Sequence, residues 1–157
     1  MRTTSTLVLL LLFAASAAQG QEAKANLNHR FWVGGGYNAP TRVTGSIGIQ
    51  WWRDRAGSDP DGWTVDAGVG QSGLKVSAGL FQDNEDGWLD LRGVVTRTWA
   101  DPVLATGGST YVGAEAGATF MMVRFVVGVA HRVAGQDGPR GTVFTGGIQL
   151  VYYKGLF

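Results

Sequence analysis

Side chains alternate between apolar and small or polar along nearly the whole of this chain, and this period of two constrains the fold most strongly. In residues 121–133 the odd positions are apolar apart from His131, whereas the even positions include Arg124, Gly128 and Arg132. Successive side chains of an extended strand point to opposite faces, so the pattern predicts a β-strand with one apolar face.

Eight such segments follow one another, separated by short clusters rich in Asp, Asn, Gly and Pro. Short connections favour antiparallel hairpins, so we predict an all-β, up-and-down, eight-stranded antiparallel β-barrel. The predicted strands are 30–37, 43–52, 62–70, 73–81, 87–99, 110–119, 121–133 and 142–153.

Residues 1–20 are typical of a cleavable secretory signal peptide. Arg2 precedes an apolar run from Leu7 to Ala18, and small residues up to Gly20 could form the cleavage site. The run is too short to span a bilayer as a helix; a buried N-terminal helix is the alternative. Residues 21–28 then form a short lead-in, and residues 29–157 form the barrel domain. The chain has no cysteine, which excludes a lipid-anchored lipoprotein and a disulfide scaffold.

The charge content is low and balanced. Loss of residues 1–20 removes Arg2 from the 13 basic residues, so 12 remain against 12 acidic ones. No basic surplus then points to nucleic acid. Charged residues make up 16% of the chain, below the typical quarter of a soluble domain. Glycine accounts for 25 of the 157 residues, which also needs an explanation.

The two faces of the predicted strands differ in kind: one is apolar, and the other combines glycine with a few Ser, Thr and charged residues. The apolar face would be the core of a soluble barrel but would meet lipid in a membrane barrel. Glycine suits the narrow interior of an eight-stranded barrel better than a solvated surface. Together with the low charge, this composition favours a transmembrane barrel, and most segments are close to the roughly 9–11 residues that a spanning strand needs.

Aromatic residues lie near the ends of the predicted strands, where membrane barrels carry interfacial girdles. Core packing in a soluble barrel would explain each aromatic residue singly, but not their concentration at one end. Phe31, Trp51, Trp63, Phe120 and Tyr152 fall at one end, and Tyr37 and Trp99 fall at the other.

Charged residues on the small-residue face predict a paired network inside the barrel, because an isolated buried charge costs several kcal/mol. A tight turn at Thr119 and Phe120 would set Glu115 opposite Arg124. A register that pairs Trp88 with Phe81 would set Arg92 beside Ser77, which in turn faces Asp66. The assigned interior residues are Asp66, Lys75, Asp90, Arg92, Glu115, Arg124 and Arg132, with Arg30 on the same face.

This network has two interpretations. Paired charges can act as structural filling that closes the barrel against ions. Alternatively, the basic surplus of the inward face could line a gated pore that favours anions.

The sequence gives little support to catalysis, and we expect no catalytic residue, metal or cofactor. Neither His29 nor His131 has a Ser or Cys at a spacing that identifies a nucleophile. Asp90 and Arg92, two residues apart on one face, suit an ion pair. The glycines at 34–36 lie within a predicted strand with no helix after them, so they do not form a phosphate loop.

A signal peptide, eight alternating strands and the C-terminal Phe157 resemble small bacterial outer-membrane β-barrels of the outer-membrane protein A and outer-membrane protein X type. The resemblance covers roughly residues 30–157 and is one of pattern. It implies that Phe157 acts as the signal to the outer-membrane assembly machinery, although strict alternation from Phe144 places Phe157 on the inward face. The connection at 71–72 is also short for an outer loop of this family.

We therefore expect a non-enzymatic barrel in the outer membrane of a Gram-negative cell, with the bilayer and the assembly machinery as partners, no nucleic acid, and a monomeric state. Its role would be in envelope structure or at most weak permeation. The alternative is a secreted soluble, lipocalin-like barrel that turns its apolar face inward and binds a small apolar ligand.

Overall fold

Eight antiparallel strands close into a single barrel in the computed structural model, which describes residues 27–53, 60–84, 86–135 and 141–154. Each strand pairs with its neighbours in chain order, and β1 pairs with β8 to close the sheet. The all-β, up-and-down architecture is thus confirmed. The strands are β1 (Leu27–Ala39), β2 (Arg42–Arg53), β3 (Asp61–Gly70), β4 (Gly73–Asn84), β5 (Gly87–Thr98), β6 (Thr110–Phe120), β7 (Val123–Ala134) and β8 (Thr142–Lys154).

The observed strand bounds lie within a few residues of the predicted ones, because most strand ends are marked by turn-forming residues. β1 begins at Leu27, two residues before the predicted start of the barrel domain at residue 29, so the barrel starts earlier than predicted. The predicted signal peptide at 1–20 and the C-terminal Phe157 lie outside the described residues. No helix in the described ranges is long and apolar enough to cross a membrane.

The turn between β6 and β7 differs from the prediction. It is formed by Met121 and Met122, whereas Thr119 and Phe120 continue β6 and pair with Arg124 and Val123. The predicted turn at 119–120 is therefore wrong by two residues. Two methionines carry no turn signal, although Met121 adopts a positive φ of 52°.

Large apolar side chains point outward around the whole circumference and form a continuous apolar belt. Every strand contributes exposed residues to it. On β7, for example, Val127 is 65% exposed whereas the inward-pointing Arg124 is 1% exposed. The belt is the predicted apolar face, and the glycine-rich face points inward.

Side chains fill the interior, with an apolar cluster near each end. We call the end where β1 begins and β8 ends the termini end, and the opposite end the loop end. Trp32, Phe81, Trp88 and Val151 form the cluster near the termini end. Tyr111, Ala130 and Val143 form the cluster near the loop end.

Inward glycines leave the space that these large side chains occupy. A Cβ atom at Gly48 would come within 2.5 Å of Trp32 Nε1, and one at Gly117 would come within 2.6 Å of Asp90 Oδ1. The high glycine content thus leaves room for large side chains inside a narrow barrel.

The connection between β5 and β6, residues 99–109, folds over the loop end. The Trp99 amide donates to the Ser72 carbonyl (3.0 Å) and the Val103 amide to the Pro40 carbonyl (3.1 Å). Ser72 Oγ donates to the Asp101 carbonyl at 2.9 Å, which ties the connection to the β3–β4 turn a second time. Since Pro40 belongs to the β1–β2 turn, this segment reaches two other turns and narrows the opening.

Candidate functional site

Four charged side chains of alternating sign form a chain through the middle of the barrel: Asp66, Arg92, Asp90 and Arg124. Arg124 Nη2 donates to both carboxylate oxygens of Asp90, at 2.9 and 2.8 Å. Arg92 Nε donates to Asp90 Oδ1 at 2.7 Å, and Arg92 Nη1 donates to Asp66 Oδ2. All four residues are buried, so each charge is neutralised at short range by a neighbour.

Ser77 of β4 adds a hydroxyl group to this row of charged side chains. Its hydroxyl donates to Asp66 Oδ2 at 2.7 Å and accepts from Arg92 Nη1 at 3.2 Å. The predicted Asp66–Ser77 pairing is present. The predicted register of β4 and β5 is wrong by two residues, because Trp88 pairs with Asp83. Arg92 still reaches Ser77 because its side chain is long enough to span this offset.

Lys75 and Glu115 form a second buried ion pair, with 3.0 Å between Nζ and Oε2. The predicted pairing of Glu115 with Arg124 is wrong. The turn at Met121 and Met122 shifts β7, so that Glu115 pairs with Gly128 and Arg124 with Thr119. Both charged side chains still point inward, but Asp90 has the role that the prediction gave to Glu115.

Arg30 occupies an aromatic cage near the termini end that the sequence pattern did not predict. Its guanidinium carbon lies 4.9–5.6 Å from the ring centroids of four aromatic side chains. Arg30 also donates to both carboxylate oxygens of Asp83, at 2.9 and 3.1 Å, and to Gln50 Oε1 at 2.5 Å. The cage consists of Trp52, Phe81, Trp88 and Tyr153.

The sequence contains a signal for inward aromatic residues in general. Trp32 lies two residues from the inward Arg30, and Trp88 lies two residues from the inward Asp90. Inward parity alone would therefore have placed Trp32 beside Arg30 and Trp88 beside Asp90, although it could not have shown which residue the Arg30 side chain contacts.

Arg132 lies apart from the central charges. It is half-buried at the loop end, pairs with Tyr111 of β6, and is eight residues from Arg124 along β7. Among the residues assigned to the rims, Phe31, Tyr37, Trp63, Trp99, Phe120 and Tyr152 are exposed and Trp51 is half-buried.

The other sequence candidates for chemistry lie apart from one another. Residues 34–36 are inside β1. His29 is exposed at the termini end, while His131 is exposed near the loop end, where its Nδ1 lies 3.0 Å from Thr142 Oγ1. Within the described ranges, no group of three or more His, Cys, Asp or Glu side chains is arranged to hold a metal ion.

The interior therefore consists of an aromatic cage, a central charged layer and a loop-end cluster around Tyr111. Three basic residues of the central layer balance three acidic ones: Lys75, Arg92 and Arg124 against Asp66, Asp90 and Glu115. This arrangement can hold the barrel walls together. Comparison with protein-family models, with characterised proteins and with solved structures finds no match to this chain.

Proposed function

We propose that this protein is a non-enzymatic, integral outer-membrane β-barrel with a structural role in the envelope. The observation that carries the proposal is the apolar belt, which surrounds all eight strands while the charged side chains of the strand centres point inward. Soluble monomers rarely expose a contiguous apolar patch larger than a few hundred Å². A belt of this kind is what a bilayer requires.

The face that points inward also bears on the alternative of a soluble, lipocalin-like barrel. A lipocalin-like barrel needs an apolar interior to receive an apolar ligand. Here the central interior contains two sets of ion pairs, and its aromatic cage is occupied by Arg30. These features support the membrane barrel over the ligand-binding barrel.

The filling of the interior supports a structural role over permeation. The buried side chains Trp32 and Trp88 fill the barrel near the termini end, Arg124 belongs to the central charged layer, and Tyr111 fills the loop end. Residues 99–109 also bind two other turns at the loop end. An ion would have to separate buried pairs to pass, which is energetically costly.

In planar bilayers we expect no stable single channels. Stable conductance that changes in Arg124→Ala would instead identify a pore.

Fractionation tests the membrane location. We expect the protein to require detergent for extraction and to migrate differently on a gel before and after heating.

A fluorophore on a single cysteine at position 127 gives a sharper test, since the chain has no cysteine of its own. Lipids brominated near the bilayer centre should quench this label strongly and quench a label at position 133 weakly. Full solubility without detergent would refute the proposal.

A further inference from the structure

Outward-facing polar residues interrupt the apolar belt near the loop end. Arg97 of β5 is exposed on the same face as Val95 and Trp99, and its Nη1 donates to Thr110 Oγ1 of β6 at 3.0 Å. His131 is exposed on β7 and contacts Thr142 of β8. We call Arg97, Thr110, His131 and Thr142 the polar strip. It spans four adjacent strands.

The strip lies at the level of an aromatic rim. Trp99 is 43% exposed two residues beyond Arg97, and Tyr37 is exposed at the same end of the barrel. Tryptophan and tyrosine favour the headgroup level of a bilayer. If the belt is embedded as proposed, the Arg97 guanidinium therefore lies among lipid headgroups, with its aliphatic stem against the apolar belt.

Charge is distributed unequally between the two ends. In the described part of the chain, the loop end has two positive charges in excess, since it contains Arg42, Arg97 and Arg132 against Asp101. Apart from the Arg30–Asp83 pair, the basic and acidic residues of the termini end balance, with Arg53 and Lys154 against Asp61 and Asp86. The loop end thus attracts anions and the termini end does not.

The dimensions of the strip suit a headgroup. β6 separates Arg97 from His131, so the two residues lie two interstrand spacings, or roughly 10 Å, apart around the wall. They are also two residues apart along the strands, since Arg97 pairs with Thr110 whereas His131 pairs with Val112. Among the described residues, the Arg97 guanidinium has a hydrogen bond to Thr110 only, which leaves other N–H donors facing outward. A guanidinium binds phosphate oxygens through paired hydrogen bonds.

We propose that the polar strip binds the phosphate of an anionic lipid headgroup and so fixes the loop end of the barrel to one leaflet. The proposal rests on the membrane location proposed above. The phosphate would lie between Arg97 and His131, with its acyl chains along the apolar belt below. A phosphomonoester should bind best because it has the highest charge.

Native mass spectrometry of the barrel extracted from mixed vesicles tests this proposal. The vesicles contain phosphatidylcholine with a minor fraction of phosphatidic acid, and the readout is the ratio of the two lipids retained by the protein. We expect wild type to enrich phosphatidic acid. Arg97→Gln should lower the enrichment about fivefold, since one basic residue near an anionic surface is worth about that factor.

Three further variants and a second readout make the result interpretable. Arg97→Gln combined with His131→Ala should lower the enrichment further, and Arg97→Lys should restore most of it. Arg53→Gln removes an exposed arginine at the termini end and should leave it unchanged. Equal enrichment in wild type and Arg97→Gln, or an equal loss in Arg53→Gln, would overturn the proposal. Heat-dependent migration of the same samples reports insertion: failure to insert refutes the membrane location as well, whereas insertion without enrichment refutes only the lipid site.

Discussion

Asp90 is the residue on which the interior charges depend most, because it accepts hydrogen bonds from both Arg92 and Arg124. Without its charge, Arg124 would be left buried without a carboxylate among the contacts described. Leaving one member of a buried ion pair uncompensated typically costs about 3–5 kcal/mol. The stability of the barrel should therefore be far more sensitive at Asp90 than at an exposed carboxylate.

We predict that Asp90→Asn lowers the free energy of unfolding by about 3–5 kcal/mol. Asp86→Asn, on an exposed residue only four positions earlier, should change it by less than about 0.5 kcal/mol. Urea titration of the refolded protein in detergent micelles or vesicles measures both variants. Similar losses in the two variants would show that the Asp90 pairs contribute little net stability.

Two glycines of β2, Gly45 and Gly48, differ in the space that is available for a side chain. Gly48 points inward against the Trp32 ring, whereas a Cβ atom at Gly45 would have no heavy atom within 4 Å. We predict that Gly48→Ala destabilises the barrel by about 1–3 kcal/mol through overpacking. Gly45→Ala should be neutral or slightly stabilising, since alanine restricts the unfolded chain. The urea midpoints compare the two variants. An equal response would mean that Trp32 can move aside at little cost.

At the level of elements, the turns and connections determine which inward residues meet. The shift of the β6–β7 turn to Met121 and Met122 moves Arg124 away from the level of Glu115 and leaves it within reach of Asp90. Strand alternation survives this shift because two residues is a full period of the strand. Inward residues therefore stay inward while their partners change.

The 99–109 connection is held by Thr98, whose Oγ1 donates to the Thr106 carbonyl at 2.7 Å and accepts from the Ser109 amide at 3.2 Å. We predict that Thr98→Val loosens this connection, because it removes both of these hydrogen bonds, each worth about 0.5–1.5 kcal/mol. Hydrogen exchange at residues 99–109 should accelerate by about tenfold or more.

Thr96 is the matched control for this substitution. It is also buried on the inward face of β5, but its Oγ1 has no hydrogen-bond partner within the described ranges. Thr96→Val should leave exchange in 99–109 unchanged and should be neutral or stabilising. Equal exchange rates in both variants would mean that other contacts hold the connection in place.

At the scale of the whole molecule, the orientation of the two faces leads to a test that distinguishes lipid from water. Val127 and Val133 of β7 are exposed to similar extents, 65% and 60%. In water, lysine at either position would be nearly neutral. In a bilayer, lysine near the midplane costs about 2–4 kcal/mol, and lysine near the interface costs about 0–1 kcal/mol.

We predict that Val127→Lys destabilises the barrel in vesicles by about 2–4 kcal/mol and that Val133→Lys has a much smaller effect. Unfolding titrations in vesicles of fixed composition give both values, and far-UV circular dichroism reports whether each variant folds. If both substitutions are equally mild, the belt does not lie in the hydrocarbon core.

Most of the fold could be predicted from the sequence, but only part of the interior could. The eight strands and their order follow from alternation and turn residues. Parity places Asp66, Arg92 and Arg124 on one face, and the glycine content of that face favours it as the inner one. The pairings of Glu115 and Arg124 could not be predicted, because each depends on a register that a turn without a sequence signal determines. The Arg30 cage also escaped prediction, since its four rings come from four different strands.

The sequence alone thus determined which side chains share a face, because the period of a strand is a local property of the extended backbone. Only the tertiary structure decided which face points inward and which charges pair. Both outcomes arise when the sheet closes: β1 meets β8, the glycine-rich face fits the narrow interior, and residues distant in the chain come within hydrogen-bond reach. Asp90 and Arg124 are 34 positions apart, and the pairing of β5 and β7 with the shared strand β6 brings them together.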